Sequence, residues 1–245
     1  MNKTPPRTLA LAAALIVVLG TAFGFYVTDD GDSVPSPTPS AATTAPPAVP
    51  ARLAAFDDSI SNGDGASNGY PVLMAAELDA RVVFDATEGG ATAASFLPGG
   101  RHAFSSVGLA MANPDLVIIA VGSAEYLGNS ASPRVYQTQL DTLTTKVCDH
   151  VKGRVLLVHM YKLDAAALRP LYPDVIPPGP RSPWTEYGTA MERSATAHGV
   201  GYLDLADAKV SISRDAVHPD DAGQATLAQL VTAGIARASA CGGAR

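Results

Sequence analysis

A parallel β-sheet covered by helices on both faces is the fold that the sequence predicts from residue 51 onward. Two observations predict it. Short apolar runs alternate with longer helical stretches along the chain, and strand–helix repetition implies parallel strands joined by crossovers. One run, Leu116–Val121 (LVIIAV), is continuously apolar, as a strand buried on both faces requires.

The elements come in this order. Arg52–Phe56 is the first expected strand, Pro71–Leu78 a helix and Arg81–Asp85 the second strand. Leu116–Val121 is the third strand, Tyr136–Val151 a helix and Arg154–His159 the fourth strand. Trp184–His198 is a helix, Tyr202–Leu205 a short last strand and Asp221–Ala238 the closing helix. In sheets of this kind ligands bind outside the carboxyl ends of the strands, so those ends are where chemistry is sought.

The remaining chain divides by composition. Lys3 and Arg7 precede a run without charge from Thr8 to Val27, and Asp29, Asp30 and Asp32 come after it. Basic before and acidic after orients such a segment with its start in the cytoplasm. Residues 1–28 read either as an uncleaved membrane anchor or as a signal peptide cut near Ala22-Phe23-Gly24. Both readings export the rest of the chain. Residues 29–50 contain SVPSPTPSAATTAPPAVP, a Pro/Ser/Thr/Ala-rich stalk without apolar period. Residues 51–245 form the domain, roughly 195 residues and enough for one sizeable core.

Of the 245 residues, 47% are hydrophobic and 16% charged, which excludes a disordered chain. The net charge is −6 and no basic patch stands out, so nucleic acid is not an expected partner. The only cysteines are Cys148 and Cys241. Two distant cysteines in an oxidising compartment are expected to pair, here tying the C-terminal helix to a mid-chain helix; two buried free thiols are the other reading.

Two segments carry candidate chemistry. The first strand runs into Asp57-Asp58-Ser59-Ile60, which places a serine just past a strand end. A serine hydroxyl is a weak nucleophile until a base takes its proton, and that base is usually a His oriented by a carboxylate. Asp215-Ala216-Val217-His218-Pro219, just before the last helix, offers such a pair three residues apart. Pro219 disfavours helix at His218. Gly31-Asp32-Ser33 is a competing serine, but a stalk cannot hold it in fixed geometry.

These blocks resemble the SGNH (GDSL-like) hydrolase family. The resemblance rests on FDDSISNG at 56–63, DATEGGAT at 85–92, PDLVIIAVGSAEYL at 114–127 and DAVHPDDAG at 215–223, in the family's order. It implies a three-layer α/β/α, flavodoxin-like fold and an ester hydrolase or acyltransferase. Ser59 then corresponds to the nucleophile, His218 to the base and Asp215 to its orienter. The N–H of Ser59 and that of Gly90, or of neighbouring Gly89, correspond to oxyanion-hole donors. Two positions depart from the pattern. Asp57 stands where the family has Gly, and Ala124 stands where it has a donor Asn. Ser123 and Glu125 flank Ala124 and are candidate substrate contacts. Trp184 is a third, at the end of the Pro-rich segment 168–184 that could lid the cleft.

The functional expectation is an exported serine esterase that hydrolyses O-acyl esters through an acyl-enzyme on Ser59. Its substrate would be a small ester or an acylated cell-envelope polysaccharide. No metal or organic cofactor is required. Membrane contact would come only through an uncleaved N-terminal segment. Acyl transfer onto envelope glycan at the same site is one alternative. A degenerate domain that binds glycan without chemistry is another, motivated by Asp57 and Ala124.

Overall fold

The computed structural model describes residues 49–242. The expectations for the apolar run Thr8–Val27, the stalk up to residue 48 and Ser33 fall outside them. Five parallel strands lie in the order β2-β1-β3-β4-β5: β1 (Arg52–Asp57), β2 (Arg81–Thr87), β3 (Leu116–Ile119), β4 (Arg154–His159) and β5 (Gly201–Asp204). The order reverses between β1 and β3, so their carboxyl ends open a crevice at the topological switch point. This is the three-layer α/β/α arrangement expected.

Burial varies with position in the sheet. All four residues of central β3 are buried, whereas edge strand β2 is at most half-buried. On one side Phe56 of β1 meets Phe84, Phe96 and Phe104 at ring separations of 5.5, 5.6 and 4.8 Å. Such aromatic contacts add to area burial.

The helices are α1 (Ser59–Asn62), α2 (Tyr70–Glu77), α3 (Ser106–Ala112), α4 (Ser123–Gly128), α5 (Pro133–Cys148), α6 (Ala165–Leu168), α7 (Trp184–His198) and α8 (Asp221–Gly234). Helix α2 packs on α8, and α5 packs on α7 and α3. Helix α5 begins three residues earlier than expected because Ser132 caps it and Pro133 takes its first position. Helix α8 stops short of Ala238, passes into a 3-10 turn at Ile235–Arg237, and leads to a two-residue strand, β6 (Ser239–Ala240). Strand β6 pairs antiparallel with the start of β4, an addition to the parallel sheet that so short a run does not announce. The short helices α1, α3, α4 and α6 are also additions to the expected elements, since none is long enough to show a period.

Cys148 and Cys241 are disulfide-bonded, with Cα atoms 5.6 Å apart and a sequence separation of 93. The bond joins the end of α5 to the residue after β6, rather than to the closing helix itself. Closing a loop of this size contributes about 4–5 kcal/mol in the chain-entropy model. Cys148→Ser should therefore lower the melting temperature by about 10 °C. An unchanged melting curve under reducing and oxidising conditions would show that β6 holds the terminus without the bond.

Candidate active site

The site assembles from the two crevice-lining strand ends and the loop before α8. Strand β1 ends at Asp57, and Asp58 caps α1 by accepting from the N–H of Ile60 at 3.0 Å. Ser59 is therefore the first residue of a helix, half-buried at the crevice floor. The loop before α8 brings His218 to it: Nε2 lies 2.8 Å from Ser59 Oγ. On the other side of the ring, Nδ1 lies 2.6 Å from Asp215 Oδ2. Residues 159 positions apart thus meet in a hydroxyl–imidazole–carboxylate line.

The His218 loop is pinned at several points. Asp215 Oδ1 accepts from the N–H groups of Val217 and His218, both at 2.9 Å. Ala216 between them takes a left-handed φ of 61°, which the turn of Asp215 back onto His218 requires. Tyr161 Oη donates to Val217 O at 2.8 Å and Tyr172 Oη to Asp215 O at 2.7 Å. Burial alone would raise the Asp215 carboxyl. Donation from the His218 N–H and ring, the Val217 N–H and the Ser213 hydroxyl outweighs it, and Asp215 is held well below the usual carboxylate range. It stays ionised and acts as an acceptor for a ring N–H.

Gln224 and Asp221 of α8 fix the two loops against each other. Gln224, fully buried, donates from Nε2 to Ile60 O at 2.7 Å and accepts at Oε1 from Tyr70 N at 2.9 Å. Asp221 accepts from Ser67 N at 2.7 Å. Neither residue stands out in the sequence. A polar residue on a helix gives no sign of partners about 150 positions away, although Gln224 does fall on the buried stripe of α8.

Asp57 does not face Ser59. Its carboxylate accepts from Asp58 N at 2.7 Å, from Tyr70 Oη at 3.1 Å and from the Ser61 hydroxyl. Burial first, and the neighbouring Asp58 second, raise its pKa well above normal. Burial likewise pushes Asp58 up to about 6 against the Ile60 N–H, the Ser123 hydroxyl and His218, which favour its charge. The extra carboxylate of this block thus serves to pack α1 against α2.

Gly89 and Gly90 line the same pocket, and their N–H groups, like that of Ser59, make no hydrogen bond among the described residues. Gly90 has φ 69°, and nothing stands within 4 Å of where a side chain would begin, so its need for glycine is conformational. Ser123 also lines the pocket, with its Oγ buried and without a well-formed hydrogen bond, next to Ala124.

Two expected substrate contacts are corrected. Glu125 is fully buried and does not line the pocket. Its Oε1 accepts from Ala93 N at 2.7 Å and so ties α4 to the loop that carries Gly89 and Gly90. Trp184 is also buried away from the pocket. Its Nε1 donates to Met160 O at 3.1 Å and its ring lies 4.4 Å from that of His159, because a large apolar ring at the start of α7 gains more by packing than by facing water. His159 itself is buried and its Nδ1 bonds Asp204 Oδ1 at 2.9 Å. Of the Pro-rich segment, Tyr172, Val175 and Ile176 reach the pocket. Arg181 instead bonds the Leu127 carbonyl at 2.9 Å and that of Tyr126, anchoring the segment to α4.

The sequence model of the GDSL-like Lipase/Acylhydrolase family matches residues 55–226, a span that contains every one of these groups. The chain belongs to this family. It is an ester-hydrolysing enzyme. No curated protein sequence matches it significantly. Solved structures of this family's fold resemble it at low identity. A carbohydrate acetylesterase from Sinorhizobium meliloti is 17% identical, with a TM-score of 0.58 over 76% of this chain and 98% of that one. The aryl esterase of M. smegmatis is 18% identical, with a TM-score of 0.56 over 75% and 97%. A family 3 carbohydrate esterase from Clostridium thermocellum is 15% identical, with a TM-score of 0.54 over 75% and 94%.

Burial pushes the Glu125 carboxyl of this GDSL-like hydrolase up to about 7, from 4.5, against the opposing Ala93 N–H. The unfolded chain then loses this proton before the folded one does. The associated stability is full below the unfolded value and is lost as pH rises toward the folded one. Glu125→Gln, which keeps an acceptor for Ala93 N, should flatten that loss by on the order of 3 kcal/mol between about pH 4.5 and 8. Parallel denaturant titrations of the two proteins with the same pH slope would refute the assignment.

Proposed function

We propose that the enzyme hydrolyses carboxylic O-acyl esters through a covalent acyl-enzyme on Ser59, outside the cytoplasm. The observation that carries this reading is the 2.8 Å contact of Ser59 Oγ with His218 Nε2, backed by the 2.6 Å contact of Nδ1 with Asp215. His218 takes the Ser59 proton as Oγ bonds the carbonyl carbon. The carbonyl oxygen becomes an oxyanion, held by the N–H groups of Ser59 and of Gly90, with Gly89 beside it. The tetrahedral centre collapses, His218 returns the proton to the leaving alcohol, and the acyl group stays on Ser59. Water enters, gives its proton to His218, and releases the acid as Ser59 regains its own. Asp215 holds the imidazole in the required tautomer and stabilises its cation throughout.

In this reading the Ser123 hydroxyl takes the place of the side-chain donor that Ala124 lacks. Its place in the pocket wall beside Ala124 supports that role. The substrate is an acylated polysaccharide of the cell envelope, whose sugar hydroxyl is the leaving alcohol. Support comes from carbohydrate esterases among proteins of the same fold and from the exported character of the N-terminal sequence.

Ser59→Ala and His218→Ala should each abolish turnover of a chromogenic ester and labelling of the folded protein by a fluorophosphonate, while Ser33→Ala retains both. Asp215→Asn should cost about 10⁴-fold in kcat by imposing the wrong tautomer. Ser123→Ala should cost about 100-fold. Full turnover by Ser59→Ala would reject the mechanism. Fractionation of cells expressing the full chain should find the domain outside the cytoplasm, protease-accessible in intact spheroplasts; protection in that assay would reject export.

A further inference from the structure

The walls of the pocket differ in kind from its floor. The lining of a cavity of about 370 Å³ holds the reacting groups Ser59, His218 and Gly90 and an apolar set, Leu127, Leu163, Val175, Ile176 and Val217, with Asp64 and Tyr172 among its polar members. Leu163 and Ile176 are 4% and 1% exposed, whereas Val175 is 59% exposed, so the apolar wall reaches from the core to the surface. A cavity of about 150 Å³ with such a lining already holds a benzene ring. A space more than twice that size is far larger than the methyl of an acetyl group needs.

From this wall we infer that the enzyme selects esters with an apolar acyl group of several carbons, about six or more, rather than acetate esters. The inference rests on the hydrolase reading and names the substrate half that the site measures. The order of the chemistry assigns the apolar interior to the acyl half. The alcohol leaves first and water must then enter, so the alcohol departs by the mouth while the acyl group, bonded to Ser59, still occupies the pocket. A group that leaves second is the one the buried end of that wall can hold. Most of the wall comes from residues 163–176, between β4 and α7, and that segment is fastened by Tyr172 to Asp215 O and by Arg181 to α4. The acyl-selecting wall is thereby tied to the separate loop that carries the general base.

The test is a series of p-nitrophenyl esters from acetate to dodecanoate with the full-length protein, beside alkyl acetates of the same lengths. Each methylene that enters the apolar wall should raise kcat/KM by up to about fourfold, the equivalent of ~0.8 kcal/mol per buried CH₂. Hexanoate should therefore exceed acetate by at least about tenfold, with no matching gain along the alkyl acetates. Ile176→Phe, which fills the interior, should reduce the hexanoate-to-acetate ratio by about tenfold and move the optimum to shorter chains. Fluorophosphonate labelling of Ser59 in that variant verifies that the site is still folded. Should Ile176→Phe fail to label, Leu163→Ala, which enlarges the interior, should move the optimum to longer chains. Acetate as the best acyl group, a gain that tracks the alcohol chain instead, or a ratio that a folded variant leaves unchanged would each overturn the inference while the hydrolase reading stands. Absence of turnover on every ester, together with no label on Ser59, would overturn both.

Discussion

The contact between Ser59 and His218 is the constraint around which the other parts are arranged. A hydrogen bond between residues 159 positions apart forms only if the first strand end and the loop before the last helix are held in register. Placing β1 beside β3 sends the chain into α1 at the switch point, where Asp58 caps the helix and Ser59 faces the crevice. Gln224 then closes the geometry by bonding both Ile60 and Tyr70 from α8. An amide that bonds both sides of a join, buried from water, carries a larger penalty for misregister than a surface pair would. The accuracy of the serine–imidazole distance therefore depends on residues that touch no substrate.

Three acidic groups close to the reacting centre would be an obstacle to oxyanion formation if all were charged and aimed at it. The structure disposes of each differently. Asp57 is turned into a nest of donors from α1 and α2. Asp58 is used as a helix cap, with its ionisation weakened by burial. Glu125 lies behind the glycine loop and bonds Ala93, with a pKa near neutrality. Asp215, by contrast, is kept strongly ionised by its donors, and it is the one that faces the imidazole. Environment has sorted chemically similar side chains into distinct roles.

The sheet and the reacting groups are legible in the sequence for a physical reason. Strands buried on both faces must be continuously apolar, and Leu116–Val121 stands out accordingly; β4 and α7 begin and end where their patterns do. Ser59, Asp215 and His218 are legible because their two blocks occur together, in the family's order, at the first strand end and before the last helix; the contacts among them depend on the assembled core. Trp184 and Glu125 mislead for the opposite reason. Each lies beside the crevice in sequence, but which way such a side chain points is decided by packing partners, Met160 and His159 for one and Ala93 for the other. Gln224 and Tyr161 are not legible because their partners come from distant segments that only the assembled sheet brings near.

The architecture separates reaction from selection, and the separation has a structural cause. The groups assigned to the reaction sit at the start of α1 and in the loop before α8, both pinned by hydrogen bonds to the core. The apolar wall comes chiefly from the irregular stretch between β4 and α7, which can vary in length and side chain without disturbing the strand pairings. Tyr172 ties it to the Asp215 carbonyl and Arg181 ties it to the end of α4. A fold so divided can meet different esters by rebuilding one wall, because the residues that change pack against neither the strand pairings nor the Ser59–His218 contact.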